Sequence, residues 1–372
     1  MSKVFELIKK AAVILFFIVL LTYALIEAKT LLYPIVLAML FAFLLLPMAN
    51  YLERKGFTRI LTNFIVIFAA AAVISAIMYF LYSGIGNLVS ELPSLKEQAS
   101  SNVENMTRTI SDRLGVSTND FRDWVNKRIS TLDENSLFVN TIIPSTTSTI
   151  MAIGLMPVYI FLMLYYRDKI YMFLMMLFSA EKQTHAANII ESISQVTKHY
   201  MRGVFVVVLV LCVLNSVGLM IVGIKFALLM GLISAICNFI PYFGTLIGAA
   251  FPLAMALIAG DSPNEAFGVI ILFIIIQFTE NNILTPNITG GAVQINPMVT
   301  IVSIVAGGMV WGIPGMFVVV PLMGMLKIVL ESYEPTKPLA FMLGTRGTEK
   351  HSVTFGKLKR FFTLRRYRDL YR

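Results

Sequence analysis

The sequence has 372 residues, of which 57% are hydrophobic and only 14% are charged, and its mean hydropathy is +0.79. Soluble domains carry charges on about a quarter of their residues, so this composition excludes an ordinary soluble protein and predicts an all-α polytopic membrane protein. The net charge is +9, and the two cysteines belong to no CxxC pair or Cys/His cluster, so neither a disulfide framework nor a structural metal site is supported.

Residues 1–90 are predicted to form the N-terminal transmembrane helices. They contain three uncharged runs, at 11–26, 30–52 and 60–90, and about 20 apolar residues cross a bilayer as a helix. The first run is only slightly longer than the apolar region of a secretory signal. A second apolar run follows it after only two charged residues, so we interpret the first run as a membrane anchor.

Residues 91–134 are predicted to form an external amphipathic helical hairpin. Apolar residues from Leu88 to Leu114 recur at steps of three and four, which places them on one face of a helix. Gly115 interrupts this pattern, and a second amphipathic stretch begins at Phe121. The apolar faces are expected to pack on each other and on the membrane helices, and an oligomer contact or a partner site is the alternative.

The next two segments alternate again between membrane and water. Residues 135–167 are predicted to form a further transmembrane helix, and residues 168–202 to form cytoplasmic amphipathic helices. His185 and His199 lie in the second of these segments with no cysteine or carboxylate at ligand spacing. We therefore interpret both histidines as solvated side chains rather than as proton relays.

Basic residues in the short loops predict the orientation of the chain. They cluster before the first apolar run, around residues 54–59 and within residues 167–202, and these loops share one side of the membrane if residues 91–134 lie on the other. Residues 336–372 form a basic tail with ten Lys or Arg against two acidic residues. Such a tail favours anionic lipid headgroups over nucleic acid as its partner, and both termini are predicted to be cytoplasmic.

Residues 203–335 are predicted to form the transport core. Two uncharged runs, at 226–260 and 281–326, are too long for a single span and are interrupted by prolines and glycines. Nonhelical backbone persists in a bilayer only where protein or a water-filled cavity covers it, so we expect broken or re-entrant helical hairpins that face inward. Paired segments of this kind are typical of a transporter's binding site, and kinked but ordinary hairpins are the alternative. With the other spans they give about eight membrane-embedded helical segments.

The polar block FTENNILTPNITGGAVQINP, residues 278–297, lies between two strongly apolar segments. A charged carboxylate that faces lipid is costly, so Glu280 is expected to lie at a helix end, to face a cavity or to be protonated. Gln277, Asn281 and Asn282 lie within one helical turn of it and would satisfy its oxygens. We interpret Glu280 as the leading candidate for coupling to a proton or cation, and a structural role in bonding neighbouring helix ends is the alternative.

No catalytic motif accompanies this polar block. HExxH, GxSxG, a Walker loop and paired intramembrane aspartates are absent from the sequence. We therefore expect no enzymatic activity and no cofactor, apart from H⁺ or Na⁺ as a coupling ion.

Three segments together resemble the autoinducer-2 exporter family of bacterial inner-membrane proteins: NFIPYFGTLIG, ENNILTPNITGGAVQINP and GIPGMFVVVPLMGMLKIVLE. The resemblance extends over nearly the whole chain, and the block from Glu280 to Pro297 is its most specific part. It implies a multi-pass secondary transporter named for export of autoinducer-2, although other members are described as sodium or lithium/proton antiporters. The functional positions that it implies are Pro241, Gly244, Glu280, Asn282, Pro286, Gly290, Pro297, Pro314, Gly315 and Pro321.

The leading hypothesis is a secondary transporter that exports a small polar solute, similar to autoinducer-2 and coupled to H⁺ or Na⁺. The side chains expected to contact the solute or ion are Asn238, Tyr242, Gln277, Glu280, Asn281, Asn282 and Asn296. The residues expected to let the broken helices move are Pro241, Gly244, Pro286, Gly290, Gly291, Pro297, Pro314, Gly315 and Pro321.

Two other functions stay open on the sequence alone. A Na⁺(Li⁺)/H⁺ antiporter would carry no organic solute, and a membrane scaffold or sensor would act through the external hairpin and the basic tail. A homo-oligomer is compatible with the family and with the external helices.

Overall fold

The computed structural model describes residues 2–114, 147–241, 243–260, 262–289 and 293–345. Within these ranges the chain is helical, and one isolated antiparallel bridge pairs Ile295 with Gly344. The all-α fold class predicted from composition is therefore confirmed. Tyr242, Gly290, Gly291, the second amphipathic stretch of the outer hairpin and the tail beyond Thr345 lie outside the described residues.

The α-helices of the described residues are, in chain order, α1 (Ser2–Glu27), α2 (Lys29–Arg54), α3 (Arg59–Ser90), α4 (Leu92–Leu114), α5 (Thr147–Tyr165), α6 (Arg167–Met176), α7 (Ala180–Val222), α8 (Ala227–Cys237), α9 (Phe243–Ala259), α10 (Pro263–Thr279), α11 (Thr285–Ile288), α12 (Pro297–Glu331) and α13 (Lys337–Leu343). A π-helix of five residues, Glu280–Leu284, joins α10 to α11.

Six helical segments among the described residues are long and apolar enough to cross a membrane. They are α1, α2, α3, α7, α12 and the continuous segment from α10 to α11. α8, α9 and the second half of α5 are shorter apolar helices. None of the apolar window of α1 is buried, and a helix that is hydrophobic on all sides and unburied by protein is one that lipid surrounds. The chain is thus a multi-pass membrane protein.

α7 is 43 residues long and continues through a boundary that the sequence suggested. Its length is about 65 Å, more than the roughly 45 Å of a bilayer with its headgroups. The amphipathic segment expected in the cytoplasm is its first half, and its second half is apolar. The boundary proposed between residues 202 and 203 therefore marks a change of surroundings within one helix, because a single glycine, Gly203, costs a helix only about 1 kcal/mol.

Ion pairs mark the two ends of the helix bundle. At the end that we call the first, Arg59 Nη2 lies 2.7 Å from Asp168 Oδ2, which joins the start of α3 to α6. At the second end, Lys225 Nζ lies 3.4 Å from Glu91 Oε2, which joins the end of α3 to the turn after α7. α3 therefore runs from the first end to the second.

α8 and α9 form a hairpin that opens at the second end, since α8 begins just after the turn that forms the second ion pair. Ser234 Oγ on α8 donates to the carbonyl oxygen of Gly248 on α9 at 2.6 Å. A Cβ atom at Gly244 would lie 2.3 Å from the carbonyl oxygen of Cys237, which is far inside van der Waals contact. Glycine thus lets α9 begin beside the end of α8, and Asn238 lies at the tip between them.

α12 reverses its direction at Gly312, where φ is 64° and ψ is −144°. A residue with a side chain rarely adopts this backbone conformation. The two legs on either side of Gly312 lie so close that a Cβ atom at Gly315 would be 2.0 Å from the carbonyl oxygen of Gly307. α12 is therefore a hairpin as well.

The two hairpins enter the bundle from opposite ends. Trp311 Nε1, at the tip of α12, donates to the carbonyl oxygen of Leu25 at 2.9 Å. Leu25 lies near the junction of α1 and α2. This junction is at the second end of the bundle, because α2 runs from it to the first end. The outgoing leg of α12 ends near α7's start, with Ser332 O 3.2 Å from His185 Nε2. α12 thus opens at the first end and α8–α9 at the second.

α4, the described half of the predicted outer hairpin, lies against the α8–α9 hairpin. Leu95 is buried in an apolar cluster that includes Met255. Asn102 Nδ2 donates to the carbonyl oxygens of Ile258, at 3.1 Å, and Gly260, at 3.0 Å. The amide of Asn102 therefore fastens α4 to the end of α9.

Asn102→Ala is expected to loosen α4 without unfolding the bundle, because each lost hydrogen bond contributes about 1 kcal/mol. Amide hydrogen exchange followed by mass spectrometry should become faster in residues 92–102 and stay unchanged in α7 and α12. Ser101→Ala, at an exposed neighbouring position, is the control. Equal protection of α4 in both variants would show that the Asn102 amide does not anchor the helix.

Candidate functional site

The candidate site lies where the tip of the α8–α9 hairpin meets the end of α10. Asn238 closes α8 and is only 9% exposed. Glu280 follows the last residue of α10 and starts the π-helix. A π-helical turn contains one more residue than an α-helical turn, and such turns occur frequently at functional sites.

Asn238 and Glu280 are joined by a direct hydrogen bond. Asn238 Nδ2 donates to Glu280 Oε1 at 2.8 Å, across 42 positions of sequence. The other carboxyl oxygen, Glu280 Oε2, is buried and has no hydrogen-bond partner among the described residues. Since a buried polar atom without a partner is costly, this oxygen suits a proton, a cation or a donor group of a solute.

Apolar side chains surround this pair on the side of the two hairpins. Phe239, next to Asn238, packs edge-on against Phe317 of α12, with ring centroids 5.7 Å apart. Phe239 and Leu284, from the π-helix, pack against the same buried cluster, which contains Ile276 of α10. The tip of the α8–α9 hairpin thus contacts α12. Because the surroundings of Glu280 are apolar, electrostatic interactions of its carboxylate are stronger than they would be in water.

A close contact on α7 positions the polar block. A Cβ atom at Gly203 would lie 2.8 Å from Cγ2 of Thr289 and 3.0 Å from its Cα. The hydroxyl of Thr289 donates to the carbonyl oxygen of Thr285 at 2.6 Å. The glycine therefore lets the segment that follows the π-helix lie directly on α7.

The structure brings Glu280 together with Asn238, which was predicted to contact the solute and not to bond Glu280. Gln277 is half-buried and forms no hydrogen bond with its side chain among the described residues, and Asn281 is exposed. Asn282 is also exposed, and its Nδ2 donates to the carbonyl oxygen of Phe278, within its own helix, at 2.9 Å. Contacts from these three side chains to a solute stay predictions, and Tyr242 lies outside the described residues.

Asn296 forms two hydrogen bonds with the backbone at the start of α12. Its Oδ1 accepts from the backbone amide of Val299 at 2.8 Å and so caps α12. Its Nδ2 donates to the carbonyl oxygen of Met342 at 2.7 Å, which ties the start of α12 to α13. Because both ends of its amide are engaged, Asn296 is placed as a structural residue here, and its predicted contact with a solute remains untested.

Several of the predicted hinge residues lie at the ends of helices or in the turns between them. Pro297 starts α12, Pro286 lies in the first turn of α11, and Pro241 lies in the turn between α8 and α9. Pro314 and Pro321 lie within the second leg of α12. Gly244 and Gly315 provide the close backbone approaches described above, and Gly290 and Gly291 lie outside the described residues.

Sequence reasoning missed Gly312 as the hinge of α12, although it is one of the eight glycines and prolines in that helix. It also missed two buried polar side chains of α7, Tyr200 and Asn215, whose Oη and Oδ1 atoms have no hydrogen-bond partner among the described residues. The available signal for Asn215 was a lone amide inside the apolar run 203–224. No group of three His, Cys, Asp or Glu side chains in the described part of the chain forms a metal centre.

Asn238→Ala is expected to destabilise the folded protein by roughly 2 kcal/mol, because it leaves a second buried carboxyl oxygen without a partner. Thermal unfolding in detergent should report the loss. The same substitution made in a Glu280→Ala background should cost much less, since the carboxylate is already gone. Equal costs in the two backgrounds would contradict an energetic role for this hydrogen bond.

Comparison with known proteins places the chain among transporters. The sequence profile of a family described as "AI-2E family transporter" matches residues 14–335. "Putative transport protein YrrI" of Bacillus subtilis is 28% identical over 313 residues, which cover 81% of this chain and 86% of that protein. "Putative transport protein YhhT" of Escherichia coli is 24% identical over 85% of this chain and 89% of its own length. "Putative permease PerM" of the same species is 24% identical over 40% of this chain and 42% of its own.

Proposed function

Because the chain belongs to the AI-2E transporter family, we propose that it is a secondary transporter that exports a small polar solute of the autoinducer-2 kind and couples this movement to H⁺ or Na⁺ at Glu280. The observation that carries the proposal is the buried oxygen Oε2 of Glu280, which has no partner among the described residues while Oε1 is held by Asn238. A carboxylate in a membrane core that keeps one oxygen free is suited to exchange a proton or a cation.

The hydrogen bond from Asn238 gives this exchange a structural consequence. Asn238 lies at the tip of the α8–α9 hairpin, whereas Glu280 lies at the end of α10, so the bond joins two parts of the chain that move separately if the hairpin tilts. Protonation of Glu280 removes the charge that strengthens the bond. The ion is thereby coupled to the position of the hairpin tip.

The two hairpins supply the opposing gates that a carrier needs. They open at opposite ends of the bundle and touch through Phe239 and Phe317. Many transporters bind their substrate between discontinuous helices near the bilayer midplane and alternate access by rocking such elements. In our proposal both hairpins are re-entrant, and the solute binds beside Glu280 where they meet.

The proposed setting is the bacterial inner membrane with both termini in the cytoplasm, as the basic loops suggest. The first end of the bundle then faces the cytoplasm, and the basic tail lies near anionic headgroups there.

A Na⁺(Li⁺)/H⁺ antiporter is the second candidate, because the free oxygen of Glu280 and the carbonyl oxygen of the Asn238 side chain would hold a cation without an organic solute. In such an antiporter, H⁺ and the metal cation would compete for Glu280, and each would cross the membrane while bound there.

Flux in proteoliposomes tests the proposal. Purified protein is reconstituted with a pH-sensitive dye inside, and a proton or sodium gradient is imposed with and without labelled autoinducer-2. Proton movement that depends on the labelled solute supports coupled export. Proton movement that depends only on Na⁺ or Li⁺ supports the antiporter, and a failure of every gradient to move protons or solute contradicts both.

A further inference from the structure

An apolar pocket of about 390 Å³ lies between α4 and the α8–α9 hairpin. Its wall is made of aliphatic, methionine and phenylalanine side chains from these helices and from the end of α3. Ala250, Phe251 and Ala254 of α9 are exposed along it, although they are apolar. Such a surface is stable next to hydrocarbon and not next to water.

Among the described residues that line this pocket, Lys96 is the one with a charged side chain. It is half-buried and forms no ion pair with any residue that the structure describes. A lysine beside an apolar wall covers the wall with its methylene groups and keeps its ammonium group in polar surroundings. The described lining of the pocket therefore combines apolar side chains with a single positive charge.

The pocket lies close to the level at which the apolar helix α3 ends. Leu88 is close to the end of the apolar helix α3, and Leu92 starts α4 just beyond it. Between them, Glu91 forms the partly exposed ion pair with Lys225 that marks the second end of the bundle. Lipid phosphates occupy this level of a bilayer.

The pocket is held open by the fold. Leu95 is buried against the hairpin, and the two hydrogen bonds of Asn102 fasten α4 to α9. The walls are thus in place before any ligand arrives, which lowers the entropy cost of binding.

We propose that this pocket binds an anionic phospholipid, with one acyl chain between α4 and α9 and the phosphate paired with Lys96. The apolar wall selects the chain, and the unpaired ammonium group selects the negative headgroup. The site is separate from the Glu280 site and does not depend on what the protein transports.

Lipid binding to the purified full chain tests the proposal. Native mass spectrometry compares retention of dioleoylphosphatidylglycerol with that of dioleoylphosphatidylcholine, which has the same chains and no net charge. Wild-type protein should prefer phosphatidylglycerol, and Lys96→Gln should lower that preference about fivefold, the ratio that corresponds to one basic side chain near an anionic surface. Lys55→Gln, which removes an exposed lysine at the first end of the bundle, should leave the preference unchanged.

A photoreactive lipid identifies the position of the acyl chain. Phosphatidylglycerol with a diazirine on one acyl chain should crosslink to peptides from α4 and α9, and Ala254→Phe should reduce this labelling by filling the pocket. Labelling of α4 and α9 that Ala254→Phe does not change, or a lipid preference that Lys96→Gln leaves intact, would overturn the proposal. A pocket that takes up no label, because other residues of the chain or a second copy cover it, would also overturn the proposal.

Discussion

Glu280→Gln should reduce gradient-driven transport to the level of protein-free liposomes while the protein stays folded. Glutamine has nearly the same shape, and its carbonyl oxygen still accepts the hydrogen bond from Asn238 Nδ2. It carries no charge and does not exchange a proton, so the free oxygen that we assign to the coupling ion is lost. Proteoliposomes with an imposed proton or sodium gradient and an internal pH dye measure the effect.

Glu181→Gln is the matched control, because Glu181 is an exposed carboxylate in the first turn of α7, far along the chain from the polar block. Its flux should equal that of the wild type. Thermal unfolding of both variants in detergent separates loss of coupling from loss of structure. Full proton flux in a folded Glu280→Gln protein would rule out Glu280 as the coupling residue and leave it the structural role of bonding neighbouring helix ends.

Gly315→Ala should destabilise the protein by roughly 3 kcal/mol, at the upper end of the usual cost of overpacking. The added methyl group would lie 2.0 Å from the carbonyl oxygen of Gly307 on the opposite leg of α12. The oxygen belongs to the backbone and the methyl carbon is bonded directly to Cα of Gly315, so the clash is relieved only if the two legs separate. Thermal unfolding followed by circular dichroism in detergent should show a clear fall in the midpoint temperature.

The control for this substitution is Gly86→Ala in α3, where a Cβ atom would meet nothing within 4 Å. Alanine favours a helix over glycine by roughly 0.5 kcal/mol or more, so this variant should match or slightly exceed the wild type in stability. If Gly315→Ala and Gly86→Ala unfold at the same temperature, the two legs of α12 do not pack as closely as the structure describes.

The polar block illustrates what a sequence reveals about a membrane site. Glu280 stood out because a carboxylate among apolar residues is costly in a bilayer, and that cost is a property of the residue and its solvent alone. Its partner in space is Asn238, 42 positions earlier, whereas the neighbours in sequence, Asn281 and Asn282, point elsewhere. A contact between distant segments depends on how hairpins pack, which the local pattern does not encode.

The last apolar run gives a similar lesson about hinges. Its excess of glycine and proline predicted a break, because these residues are unnecessary in a lipid-facing helix. Eight glycines and prolines lie within α12, and the chain turns at one of them, Gly312. A turn at Gly312 is the one that lets Gly307 pack closely on Gly315. This contact forms between the two legs of the hairpin and leaves no local pattern in the sequence.

Composition and local motifs were enough to predict the membrane environment of this protein, its helical class, its family and the carboxylate of its candidate site. Each of these follows from composition, from the length of apolar runs or from a motif, all of which are local along the chain. The packing of the helices was needed to learn that the two hairpins enter from opposite ends, that Asn238 holds one oxygen of Glu280, and that Asn296 caps a helix. These features depend on which backbones approach one another, and that depends on shape and small residues across the whole bundle rather than on any one segment.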